Sequence, residues 1–128
     1  MRDLTPSEFE DFVAEAFERS GMETRVTSQT RDGGKDIIAK FEVGGIQYTT
    51  YFECKHWTGP VGVNVVRNLA GVINRDRVDK GVIVTDSYFT RDAHEEADLY
   101  NGRIQLIDRD ALQDLVHSDR FVFERRLR

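Results

Sequence analysis

The chain has 128 residues, 39% of them hydrophobic and 32% charged, a size and balance that suit one domain with a sizeable core spanning residues 1–128. No apolar run approaches the roughly 20 residues of a membrane span. The opening segment lacks the pattern of a secretory signal and the lone Cys54 has no partner for an internal disulfide, so a cytoplasmic protein without a membrane role is expected. A net charge of −5 argues against binding polyanions by bulk attraction. Nucleic-acid contact would then require clustered basic groups, with Arg31, Lys35, Lys55, His56, Arg67, Arg75 and Arg77 as candidates, and with part of the acidity gathered at a metal site.

Thr5-Pro6-Ser7-Glu8 is a helix start, with Thr5 as cap, Pro6 at the first helical position and Glu8 closing a capping box. Phe9, Phe12, Val13, Ala16 and Phe17 recur at helical spacing up to a stop at Gly21. Three strands are expected next, over Thr24 to Ser28, Asp36 to Val43 and Ile46 to Cys54, the last two joined by Gly44-Gly45 as a tight hairpin. After Trp57-Thr58-Gly59-Pro60, the stripe Val65, Val66, Leu69, Val72 and Ile73 predicts a helix, and Lys80 to Thr85 a buried strand. Thr90 caps a helix expected to run to about Asn101 and to end at Gly102. Ile104 to Ile107 is a strand, and Asp108 caps a last helix bearing Ala111, Leu112, Leu115 and Val116. The order is αβββαβαβα. The tail from Phe121 to Arg128 is expected to be a solvated edge or a truncated connection.

A hairpin turning between Gly44 and Gly45 sets Asp36 opposite a residue near Glu53. Cross-strand partners have Cβ atoms about 4.5 to 5.5 Å apart on one face, so one hard divalent cation can bridge the two carboxylates. Lys55, two residues beyond Glu53, points to the same face. Mg²⁺ accepts one or two carboxylates with a main-chain carbonyl, here that of Cys54, and keeps several waters; Mn²⁺ is expected to substitute. Lys55 then suits orienting the water, stabilising the transition state or acting as base. The bland reading of Glu53 and Lys55 is an exposed cross-strand pair, but the apolar, aromatic stretch from Tyr48 to Trp57 makes unpaired charge costly there. Asp36 also suits a turn, as Asp32 does, and Glu10 lies off the apolar stripe of its helix, which by itself reads as surface. The Cys54 side chain belongs on the opposite face, in the core. His56 is a solvated residue or a phosphate contact, and Trp57 fits either capping the core or stacking on substrate.

Phe9-Glu10, Asp32-Gly33-Gly34-Lys35-Asp36, Glu53-Cys54-Lys55, Val66-Arg67-Asn68-Leu69-Ala70-Gly71, Lys80-Gly81-Val82-Ile83-Val84-Thr85 and Phe89-Thr90 leading to Ala93 come in one order. In that order the chain resembles the catalytic domain of Mrr-type restriction endonucleases, within the PD-(D/E)XK nuclease superfamily, over roughly residues 4 to 116. The resemblance implies an α/β fold with a restriction-endonuclease-like αβββαβ core, further α and β elements, and a mixed central sheet flanked by helices. It implies that Asp36 and Glu53 bind Mg²⁺, that Lys55 is the motif lysine and that Glu10 reaches the site from the first helix. Many Mrr-like domains carry glutamine at the position of Glu53, so this chain has the more acidic form.

The expectation is a metal-dependent endonuclease hydrolysing DNA phosphodiester bonds in defence against foreign DNA. A structure-selective nuclease such as a Holliday junction resolvase, or a non-catalytic module binding DNA or protein on the same fold, is the alternative. Cutting both strands with one site per chain suggests a homodimer, or else a recognition domain or subunit, since no helix-turn-helix or zinc module is visible.

Overall fold

The computed structural model describes residues 3–26 and 36–126, the part from 118 onward as backbone alone. The elements, in chain order, are α1 (Pro6–Arg19), β1 (Glu23–Val26), β2 (Ile37–Val43), β3 (Ile46–Lys55), α2 (Val63–Asp76), β4 (Lys80–Thr85), α3 (Arg91–Asp98), β5 (Ile104–Ile107) and α4 (Arg109–Arg126). The expected order αβββαβαβα is therefore present. The strands form one sheet in sequence order, β1-β2-β3-β4-β5. β1 to β3 pair antiparallel, and β4 and β5 join parallel. Each parallel step is bridged by a helix, as a crossover requires.

Helices cover both faces. Along β3 and β4 successive side chains alternate: Tyr51 and Ile83 pack with Val66, Leu69 and Ile73 of α2 and Ala93 and Ala97 of α3. Phe52, Val82 and Val84 pack instead with Phe9, Val13 and Phe17 of α1 and Leu112 of α4. Gly81 explains how closely α2 lies on the sheet, since a Cβ there would stand 2.9 Å from Leu69 Cδ2. Phe17 and Phe52 rings meet at 4.5 Å between centroids on the other face.

Local signals set the ends. Thr5 and Glu8 form the reciprocal capping box, with Pro6 at the first position of α1. Thr90 accepts from the Ala93 amide, and Asp108 Oδ1 from the Ala111 amide at 2.9 Å. Gly44 and Gly45 both have positive φ, 58° and 84°, as a two-residue hairpin needs. Some boundaries differ from expectation: β1 begins at Glu23 rather than Thr24, β2 at Ile37 rather than Asp36, and β3 runs to Lys55 rather than Cys54. α3 ends at Asp98 rather than near Asn101, because the amides of Leu99 and Tyr100 turn back to Glu96 and Ala97, three residues before them, tightening the last turn. Asn101 and Gly102 then both enter positive φ. β1 is described only to Val26, so Thr27 and Ser28 of the expected strand, with Arg31 to Lys35, lie outside the described residues. Among the described residues no helix is long and apolar enough to cross a membrane.

Candidate active site

The hairpin places its charged residues where β2 begins and β3 ends. Ile37 pairs with Phe52 and Val43 with Ile46, the register that the glycine turn predicts. At its open end the ladder changes. The Asp36 amide donates to the carbonyl of Phe52 at 2.7 Å, the residue already paired with Ile37. Two consecutive residues facing one partner make a β-bulge, which re-aims a side chain. Asp36 thus stands just before β2 rather than inside it. Its Oδ2 accepts from the Cys54 amide at 2.6 Å, so its backbone and side chain grip β3 on either side of Glu53. Asp36 is 6% exposed.

Glu53 and Lys55 extend from one face, Oε1 to Nζ 2.9 Å. The other oxygen, Glu53 Oε2, is buried and has no hydrogen-bond partner among the described residues. Burial raises the Glu53 carboxyl above its ordinary pKa; the Lys55 hydrogen bond and charge oppose this, while the Asp36 charge adds to it. Glu10 comes from α1. Its pKa is raised from 4.5 to about 7, first by burial and then by the charges of Asp36, Asp11 and Glu53. Glu10 is therefore near enough to both hairpin carboxylates for their charges to act on it, and it is half-buried rather than fully exposed. The Cys54 thiol is partly buried against the α1 side of the core, away from Glu53 and Lys55. Burial, with the charges of Asp36, Glu10 and Glu53, pushes it up, so it is a poor thiolate at neutral pH.

Carboxylates that share a partly buried corner and still push one another toward protonation with Lys55 beside them have room for more positive charge. The buried, unpartnered Glu53 Oε2 is the kind of donor that a hard cation satisfies. Among the described residues no three His, Cys, Asp or Glu side chains are grouped as a metal cage. A site of two carboxylates and a main-chain carbonyl, completed by water, fits Mg²⁺ better than zinc.

Beyond Lys55 lie residues whose partners local pattern does not reveal. The Lys55 carbonyl accepts the Thr85 hydroxyl at 2.7 Å, and that hydroxyl in turn accepts the Ser87 amide. Asp86 Oδ1 accepts the Trp57 amide at 3.1 Å. His56 Nδ1 stands 2.6 Å from Asp86 Oδ2, although off the line of a hydrogen bond, and its ring stacks on Phe9. His56 is thus tied into the scaffold rather than solvated. Lys55 Nζ lies 5.3 Å from the Trp57 ring centroid. Trp57 is 42% exposed and is not a core residue.

A mixed sheet that begins as an antiparallel hairpin, continues in parallel through a helical crossover, and gathers acids at the open end of that hairpin has the restriction-endonuclease fold. The structure superposes on the DNA modification-dependent restriction endonuclease AspBHI with a TM-score of 0.76 at 26% identity, over 89% of this chain and 31% of that one. It superposes on the MspJI restriction endonuclease, solved in complex with a 27-mer oligonucleotide, with a TM-score of 0.63 at 25% identity, over 88% of this chain and 26% of that one. The chain belongs to the restriction endonuclease family Mrr_cat, whose model matches residues 1–116. It is 27% identical to the type IV methyl-directed restriction enzyme EcoKMrr of Escherichia coli over 88% of its length, and 36% identical to the uncharacterized protein y4cE of Sinorhizobium fredii over 68%. It spans only 38% and 23% of the lengths of those two relatives.

Proposed function

We propose that this chain is the catalytic unit of a Mg²⁺-dependent DNA endonuclease of restriction type, acting against foreign DNA. One observation carries the reading: Asp36 grips β3 on both sides of Glu53, and Glu53 keeps a buried oxygen without a hydrogen-bond partner among the described residues. In this reading Asp36, Glu53 and the Cys54 carbonyl hold the cation, with Mn²⁺ a competent substitute. When bound, a divalent cation supplies charge neutralisation and an activated water. Lys55, anchored through Glu53 and the Trp57 ring, directs its ammonium group to the scissile phosphate and offsets charge on a non-bridging oxygen. Glu10, protonated up to about pH 7 without a cation, ionises once positive charge enters the corner and completes the acidic set.

The names of EcoKMrr and AspBHI tie restriction to methylated or otherwise modified DNA. In this reading such selectivity comes from sequence outside the shared span or from a partner subunit, and a dimer delivers the two strand cuts of a duplex. The test is nicking of plasmid DNA with Mg²⁺, with Mn²⁺ and with EDTA. Cleavage should need the metal, and Asp36→Ala should lower it at least about a hundredfold, the loss typical when a group stabilising the transition state is removed. Undiminished cutting by Asp36→Ala would remove the assignment.

A further inference from the structure

Next to the candidate site the chain forms a cleft of about 440 Å³ that the chemistry above leaves unused. His56, Trp57, Asp86, Tyr88, Arg109 and Asp110 are among its lining residues, so the segments after β3 and β4 and the start of α4 all contribute. Its frame is braced. The Ser87 hydroxyl donates to the Gly59 carbonyl at 2.7 Å, the Arg109 amide donates to the Ser87 carbonyl at 3.0 Å, and the Val61 amide donates to the Tyr88 carbonyl at 2.8 Å. On this frame Trp57 and Tyr88 stay 42% and 59% exposed. Two large rings left open at one cavity mark a contact surface more than a packing defect. Trp57 is also a shared wall, because the Lys55 ammonium lies against its ring.

Charge selects the occupant. The lining acids Asp86, Asp108 and Asp110 outnumber Arg109 here, with Asp110 the exposed carboxylate, which is hostile to a phosphate but well suited to a flat group that donates hydrogen bonds from its edge. A nucleobase has both properties: a π-face for the rings, and on adenine, cytosine and guanine an exocyclic amine for a carboxylate. We infer that this cleft takes the unstacked base of a nucleotide adjacent to the scissile phosphate, so that DNA is engaged with at least one base outside the helix. The inference rests on the proposed nuclease reading for its choice of DNA. The phosphates on either side of that base then lie outside the cleft, toward Lys55 on one side.

The chain has a single tryptophan, so its emission reports on Trp57 alone. With EDTA present to prevent cutting, the wild-type protein is titrated with a short single-stranded oligonucleotide, with its fully paired duplex and with an abasic copy of the strand. The single strand should quench Trp57, and the duplex and abasic strand much less. Tyr88→Ala should weaken single-strand binding about tenfold, the size of one lost base stack. Tyr88→Phe should keep it, and both variants should melt with the wild type because the ring is exposed. Equal quenching by the abasic strand, no quenching at all, or an unchanged Kd in Tyr88→Ala would overturn the inference. The plasmid assay stands apart: quenching by bases without metal-dependent cleavage keeps the cleft and removes the nuclease reading, whereas cleavage without base-dependent quenching removes the cleft alone.

Discussion

The two ends of the β2–β3 hairpin invert the usual rule of burial. At its closed end Val43 and Ile46 are 58% and 60% exposed, although both are apolar. At its open end Asp36 is buried, and Glu53 keeps an oxygen without a hydrogen-bond partner among the described residues. Stability alone would favour the reverse, since taking carboxylates out of water is costly even when Lys55 and a backbone amide partly compensate them, whereas a few exposed methyl groups cost little. The turn needs only its two glycines, so its flanks are free to vary. The open end carries a cost that makes sense when something positive arrives there. Loss of cleavage in Asp36→Ala is thus the largest effect expected from the hairpin.

Next in size is Phe52, which joins the two ends. Its side chain is 1% exposed and packs on Phe17, while its carbonyl holds Asp36. Phe52→Ala should cost about 3 to 5 kcal/mol in urea unfolding and should loosen the open end as well. A cost below about 1 kcal/mol would mean that the α1 face is not packed as described.

The open end should also respond to pH. Between about 4.5 and about 7 the folded protein keeps a proton on Glu10 that the unfolded chain has released. The folded state therefore binds more protons in this window, and this group's contribution is present below about 4.5 and lost as pH rises through about 7. With EDTA present, the melting temperature should carry a falling component across that range. Glu10→Gln should flatten it, and Mg²⁺ should shrink it by favouring the ionised carboxylate. An identical slope in Glu10→Gln would show that Glu10 does not share this acidic corner. The smallest effect belongs to the closed end: Gly45→Ala, at φ 84°, should cost roughly 1 kcal/mol and leave metal-dependent cleavage intact.

Much of this hairpin was legible in the sequence. The glycine pair fixes the register by counting, and Glu53, Cys54 and Lys55 alternate as a strand demands. What counting does not reveal is the bulge, because the extra residue sits at Asp36, which read equally well as a strand or a turn residue. Glu10 looked like surface by helical spacing, and only resemblance put it in the site. The tie between His56 and Asp86, and the Thr85 hydroxyl on the Lys55 carbonyl, were not foreseen. Their partners lie about 30 positions apart in sequence, and parallel pairing of β3 with β4 brings them together. The early end of α3 was missed because Tyr100 and Asn101 look like continuing helix, and backbone bonds from Leu99 and Tyr100 close it first.

The bulge at Asp36 also makes the hairpin a counting device. Seven residues run from Ile37 to Val43 and ten from Ile46 to Lys55, and with side chains alternating, one residue added to either arm would turn its acid to the opposite side of the sheet. Arm length should therefore be inherited more strictly than the identity of most residues within it, and natural insertions should gather at the glycine corner, where they lengthen the tip without disturbing the count.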